Sequence, residues 1–108
     1  MSLAFDDRCP AFRAISVIGD RWIMMILRDL IVEGPRRFQD FNHARTGMSP
    51  NVLSDRLKRL EAEGVIAKRL YSEHPPRYEY DLTEKGLALK PVMKALYNWG
   101  ETFTSASE

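Results

Sequence analysis

"MSPNVLSDRLKRLEAEGVI", residues 48–66, decides how the rest of the chain is read. Leu53, Leu57 and Leu60 recur at i, i+4 and i+7, the spacing that stacks apolar side chains on one face of an α-helix. Ser49 is a good N-cap, and Pro50 fits the first helical position, where its missing N–H costs nothing. Gly64 suits a left-handed C-terminal cap. On the wheel set by the leucines, the opposite side carries Asn51, Ser54, Asp55, Lys58 and Ala62, with Arg56 and Arg59 crowding behind. A solvated face is the plain alternative, so the flanks have to decide.

Upstream, "CPAFRAISVI" reads as a first helix with Pro10 in its first turn and Phe12, Ile15 and Ile18 on one face. Gly19 breaks it, and Asp20 is a good N-cap for "RWIMMILRDLI", a core helix with Trp22, Ile23, Ile26, Leu27, Leu30 and Ile31 in helical period. "EGP" ends it; "RRFQDFNHA" gives a short third helix with Phe38 and Phe41 inward, and "RTGM" a tight turn. Downstream the period changes. "VIAKRLYS" and "RYEYDL" are β-branched and aromatic, with Tyr78, Tyr80 and Leu82 alternating with Arg77, Glu79 and Asp81, so they read as a basic hairpin turned at "EHPP". Thr83 caps a last helical region whose apolar stripe is Leu89, Val92, Met93, Leu96, Trp99 and Phe103. Pro91 would cost about 3 kcal/mol inside a helix, so a break or kink is expected there.

The expected fold class is α+β, mostly α: a winged helix-turn-helix with terminal helices for dimerisation. The expected organisation is a single 1–108 domain with N-terminal helices at 9–35, a helix-turn-helix at 36–63, a wing hairpin at 65–82 and a C-terminal helical dimerisation region at 83–104.

Length and composition agree with one domain: 108 residues, 44% hydrophobic and 29% charged, are the proportions of a soluble globular protein. No apolar run approaches a membrane span, and "MSLAFDDR" is too short and acidic for a signal peptide. A single cysteine allows no internal disulfide, and a cytoplasmic setting is expected. The net charge of +1 conceals an uneven distribution. Residues 36–77 hold nine Lys/Arg against five Asp/Glu, a +4 segment between acidic flanks.

In that setting the polar front of 49–58 is the face a recognition helix lays in the major groove, with Ser49 and Pro50 at its leading end. Asn51 can pair with adenine, Ser54 can reach several base edges, Asp55 can accept from the cytosine amino group, and Lys58 suits guanine or phosphate. Arg36 and Arg37 are candidates to grip a phosphate before the third helix; a plain surface pair is their alternative. His74 and Arg77 flank the hairpin tip, where they can meet the minor groove or its phosphates. No catalytic, metal or cofactor site is expected: His43 and His74 lie in different elements, and no phosphate loop or nucleophile–base pair stands out. Trp22, Trp99, Met24 and Met25 read as packing residues.

"CP" at 9–10, "IGDRW" at 18–22, "IL" at 26–27, "RF" at 37–38, "SPNVLSDRLKRLEAEGVI", "HPPRYEYDLTEKG" and "NWG" at 98–100 stand in the order of one family's pattern. Over about residues 9–103 the chain resembles the HxlR-type winged helix-turn-helix transcriptional regulators. The resemblance implies a prokaryotic homodimer that binds double-stranded DNA at a two-fold symmetric operator. Its interface candidates are Leu96, Trp99 and Phe103, with Phe12 beside them; intramolecular packing is the alternative. It also implies redox or electrophile sensing at Cys9 in some relatives, where a helix N-terminus with Arg8 and Arg13 nearby favours a thiolate; a packed, unreactive thiol is the alternative. A small-molecule effector at the dimer seam is a further candidate partner. The chain departs from the family at the turn, where "RTGMS" stands for roughly "LPGIS": Met48 keeps the core contact and Arg45 becomes a candidate phosphate contact. A winged-helix module that binds protein instead of DNA is the competing reading, and it would present an apolar groove instead of a polar face.

Overall fold

The computed structural model describes residues 5–41 and 47–106. Among them the order is α1 (Pro10–Ile18), α2 (Arg21–Glu33), a 3-10 turn (Phe38–Asp40), α3 (Pro50–Ala62), β1 (Ile66–Glu73), β2 (Pro76–Leu82), α4 (Glu84–Leu87) and α5 (Lys90–Phe103). The fold is α+β and mostly helical, a winged helix-turn-helix with a two-stranded antiparallel sheet.

Local chemistry sets the helix ends. Asp20 Oδ1 accepts from the backbone N–H of Trp22 at 2.8 Å and of Ile23 at 3.1 Å, which starts α2. Ser49 Oγ accepts from the Val52 N–H at 3.1 Å and starts α3 behind Pro50. At the far end of α3, Gly64 takes φ +72°, the Val65 N–H reaches back to the Leu60 carbonyl and the Gly64 N–H to that of Glu61, both at 3.0 Å. That double closure is a Schellman motif, and the residue required for it is the one glycine supplies cheaply.

Between these ends the leucine face of α3 is wholly buried. Leu53, Leu57 and Leu60 pack with Ile23, Ile26, Leu27 and Leu30 of α2, and Phe41, Met48, Val65, Ile66 and Met93 complete the core. Met48 therefore makes the core contact expected of it. Truncating any one of the three leucines to alanine leaves a cavity of the kind that costs about 2–5 kcal/mol.

The hairpin pairs Ile66 with Leu82 through Leu70 with Tyr78, then bulges between Leu70 and Ser72 before Glu73 meets Pro76. Its turn is only His74 and Pro75, joined by a cis peptide bond, so the strands run further into "EHPP" than expected. Arg36 adds a short rung on the outer edge: its N–H donates to the Tyr80 carbonyl at 2.9 Å and its carbonyl accepts from Tyr80 at 2.7 Å. The segment that follows α2 thus holds the wing in place.

Three features of the packing bear on the sequence reading, and one of them corrects it, the inward placement of Phe38. The described part of "RRFQDFNHA" is a three-residue 3-10 turn, and His43 and the Arg45 turn lie outside the described residues. Phe41 is buried but Phe38 remains 36% exposed, because a single short turn points only one of the two rings into the core. The third concerns α1, whose apolar face buries none of its residues: Ile15 is 57% exposed, Phe12 is half-buried, and only Val17 and Ile18 lean on the core. Pro91 behaves as expected: α4 stops at Leu87, and α5 starts afresh with Pro91 in its first turn.

"TEKG" fastens the wing and α3 to α4. Thr83 donates from Oγ1 to the Gly64 carbonyl at 2.5 Å, accepts from the Gly86 N–H at 3.2 Å, and the Lys85 ammonium donates to the Glu63 carbonyl at 2.5 Å. Gly86 is buried, and a Cβ there would run into the Val65 carbonyl oxygen, with Leu82 Cδ2 at 2.9 Å behind it. Gly86→Ala is therefore expected to destabilise the chain by about 3 kcal/mol, read from urea unfolding. An unchanged midpoint would show that α4 can move away from β1 freely.

Candidate nucleic-acid interface

With its leucines buried, α3 turns its other side outward. Asn51, Asp55 and Lys58 are exposed and Ser54 is half-buried, so the four expected readers share one surface, led by exposed Ser49 and Pro50. Ser49 has its oxygen engaged in the cap. Asp55 also has a partner: its Oδ2 accepts from Arg56 Nη1 at 2.6 Å. Arg56 in turn donates from Nε to Asp20 Oδ2 at 3.0 Å, a contact across 36 residues of sequence. Burial works against the Asp20 charge, yet the N–H groups of Ile23 and Trp22 and the Arg56 guanidinium hold its carboxyl below the ordinary carboxylate range.

Arg36 and Arg37 have different surroundings from each other. Arg37 lays its guanidinium across Asp40, Nη2 to Oδ1 at 3.0 Å and Nε to Oδ2 at 3.1 Å, and its backbone N–H donates to the same Oδ2. The Arg37 side chain and then its N–H hold the Asp40 carboxyl below its ordinary value, while Asp40 first and Tyr71 second raise Arg37 further. Arg36 spends its backbone on Tyr80, places Nη2 3.7 Å from Glu33, and leaves Nε buried without a partner among the described residues. The pair thus forms the joint between α2, the 3-10 turn and the wing.

On the wing, Arg69 donates to Glu79 Oε1 at 2.7 Å and lies 3.8 Å from Asp81, while Lys68 sits 5.0 Å over the Tyr78 ring. The hairpin is not basic overall, which corrects the sequence reading: Lys68, Arg69 and Arg77 are matched in number by Glu73, Glu79 and Asp81. Half of the positive excess counted over residues 36–77 comes from Lys68, Arg69 and Arg77 against Glu73, and Glu79 and Asp81 just beyond that segment cancel it; the remainder belongs to the 36–37 joint, Arg45 and α3. What the wing offers is its tip, where His74 and Arg77 are exposed and form no ion pair among the described residues.

Cys9 is the N-cap residue of α1 and half-buried, with its N–H on the Asp6 carbonyl at 2.9 Å. The two arginines expected to assist it are engaged nearby: Arg8 grips Asp6 at 2.6 Å, and Arg13 donates to the Asp7 carbonyl at 2.5 Å. Among the described residues no three His, Cys, Asp or Glu are placed to hold a metal, and no helix is long and apolar enough to cross a membrane. Sequence reasoning missed the Asp20–Arg56 contact, since nothing local marks it. The Arg37–Asp40 pair was visible as an i, i+3 spacing before a helical turn.

Comparison with known proteins converges on one group. A sequence model of the HxlR-like helix-turn-helix matches residues 17–108. The HTH-type transcriptional regulator YvaP of Bacillus subtilis is 37% identical over 102 residues, covering 94% of each chain. The structure of the redox regulator HypR in its oxidized form superposes with a TM-score of 0.80 at 31% identity, covering 91% of this chain and all of that one. The reduced form of the Bacillus subtilis transcriptional regulator YodB superposes at 0.75 with 33% identity, covering 93% and 98%.

Asp20 and Asp40 give the fold a defined acid response. Both carboxyls titrate lower when folded than when unfolded, so their stabilisation is complete above the unfolded value near 3.8 and drains away as pH falls through the depressed folded values. Asp40→Asn should flatten the loss of stability below about pH 4, followed by thermal unfolding across a pH series. An unaltered acid limb would show that Arg37 does not hold Asp40 in solution.

Proposed function

Because the chain belongs to the HxlR-like helix-turn-helix family of transcriptional regulators, we propose that it binds double-stranded DNA as a homodimer on a two-fold symmetric operator, in the cytoplasm. The observation that carries this reading is α3, seated by three buried leucines so that Asn51, Ser54, Asp55 and Lys58 form its outer face. Short side chains at the front of the helix let its backbone come close to base edges, where Asn51 has the geometry for adenine. His74 and Arg77 at the wing tip, with Arg36 and Arg37 at the joint, supply contacts to the sugar-phosphate backbone.

The dimer rests on α5. Met93 is the residue that this helix buries, while Leu96 is 51%, Trp99 62% and Phe103 69% exposed, with the last two rings 5.4 Å apart. An apolar stripe of that kind on a 14-residue helix is a surface for a second copy, and Phe12 of the likewise exposed α1 adds to it. Two protomers joined there present their α3 helices as a pair, which is what a palindromic site requires. Likeness to HypR, a redox regulator, supports Cys9 as the residue through which oxidants or electrophiles act on the dimer. A protein-binding module would need an apolar groove where α3 here is polar.

Duplexes selected from a random library on the whole protein test this reading by fluorescence anisotropy. Asn51→Ala and Ser54→Ala are each expected to cost about 1–3 kcal/mol at one base pair and to relax preference there. Arg77→Ala should weaken all duplexes alike and reduce the slope of log affinity against log salt by about one. Replacing Leu96 and Trp99 together by Glu should give a monomer, read from sedimentation, that no longer prefers a palindrome. A wild-type chain that shows no salt-dependent binding to any duplex would falsify the proposal.

A further inference from the structure

Arg56 stands on the flank of α3, behind the outer face, and connects two helices. Its Nε lies 3.0 Å from Asp20 Oδ2 and its Nη1 2.6 Å from Asp55 Oδ2. Asp20 at the same time caps α2 through its other oxygen. The result is a continuous chain from the first turn of α2, through Asp20 and Arg56, to Asp55 on the exposed side of α3. Its inner two members are the more sheltered: the Asp20 and Arg56 side chains are 26% and 21% exposed, and that of Asp55 is 56%. Among the described residues Asp55 Oδ1 accepts no hydrogen bond, so there the chain of contacts ends in an open acceptor.

A carboxylate beside DNA is repelled by phosphate unless a cation attends it, and it selects a base only if its orientation is fixed. Arg56 meets both needs, since a planar guanidinium can hold two carboxylates in set directions where a lysine ammonium cannot. The triad of two aspartates and one arginine carries a net single negative charge, which suits a base amino group better than a phosphate. We propose that Arg56 is a positioning residue for DNA recognition: braced on Asp20, it fixes Asp55 so that Oδ1 accepts from a cytosine amino group, and it does not itself hold a phosphate. This rests on the DNA-binding reading above.

The test uses the full chain and single-base-pair variants of a duplex selected on the wild type. Asp55→Asn should erase about tenfold of discrimination for a C·G pair at one position in each half-site. Arg56→Lys should lose the same discrimination at that position alone, with the salt slope unchanged, and Asp20→Asn, which keeps a capping oxygen but not the charge, should do likewise. Adding Arg56→Lys to Asp55→Asn should cost nothing further. Thermal midpoints of the three variants establish that they fold. Retained discrimination in Arg56→Lys, or a salt slope reduced by about one in Arg56→Ala, overturns the positioning role and makes Arg56 a phosphate contact. Wild-type chain that prefers a sequence but shows no C·G preference at any position sensitive to Asp55→Asn overturns the inference alone; wild-type chain that binds no duplex overturns the reading beneath it.

Discussion

Leu53, Leu57 and Leu60 against Ile23, Ile26, Leu27 and Leu30 is the contact on which the other parts of this molecule depend. It is made of aliphatic side chains with few rotamers, and close packing of such groups tolerates little sliding. Because the seam is apolar and the opposite side of α3 is polar, one rotation of the helix satisfies both. Everything attached to α3 inherits that rotation: the Schellman turn at Gly64 sends the chain into β1, and Thr83 and Lys85 return to grip the carbonyls at the end of α3. The outer face of α3 and the wing are tied together by hydrogen bonds that lie behind both.

Polar groups then set direction where the apolar seam leaves freedom. Asp20 is the economical case, with one oxygen starting α2 and the other receiving Arg56 from α3. Arg37 and Asp40 do the same between the 3-10 turn and its own backbone, and the Arg36–Tyr80 rung ties that turn to the hairpin. None of these pairs is deeply buried, so each contributes modestly to stability, and their combined effect is on geometry.

Much of this was legible in the sequence because it is local. Periodic leucines, the Ser49–Pro50 start, Gly64, the capping Asp20 and the break before Pro91 each follow from rules spanning a few residues, and all are present. What escaped is non-local or depends on partners. The Asp20–Arg56 pair joins residues far apart in the chain, so no spacing announces it. Phe38 and Phe41 look equivalent on a helical wheel, but a 3-10 turn of three residues buries only the second. The hairpin looked basic when charge was summed to Arg77; extending it through β2 brings in Glu79 and Asp81, which take Arg69. Of the candidate site, sequence indicated which side chains share a face, and the fold added which of them already have partners.

The stripe on α5 has a thermodynamic consequence of its own. A helix that buries Met93 and leaves Leu96, Trp99 and Phe103 in water draws little of its stability from its own domain. Whatever covers that stripe stabilises α5 by mass action, and with the second copy proposed above, the stability of this end of the chain would follow protein concentration as well as sequence. In the proposed homodimer, synthesis rate would then become a physical variable of the fold: dilution would loosen the C-terminal helix and accumulation would tighten it.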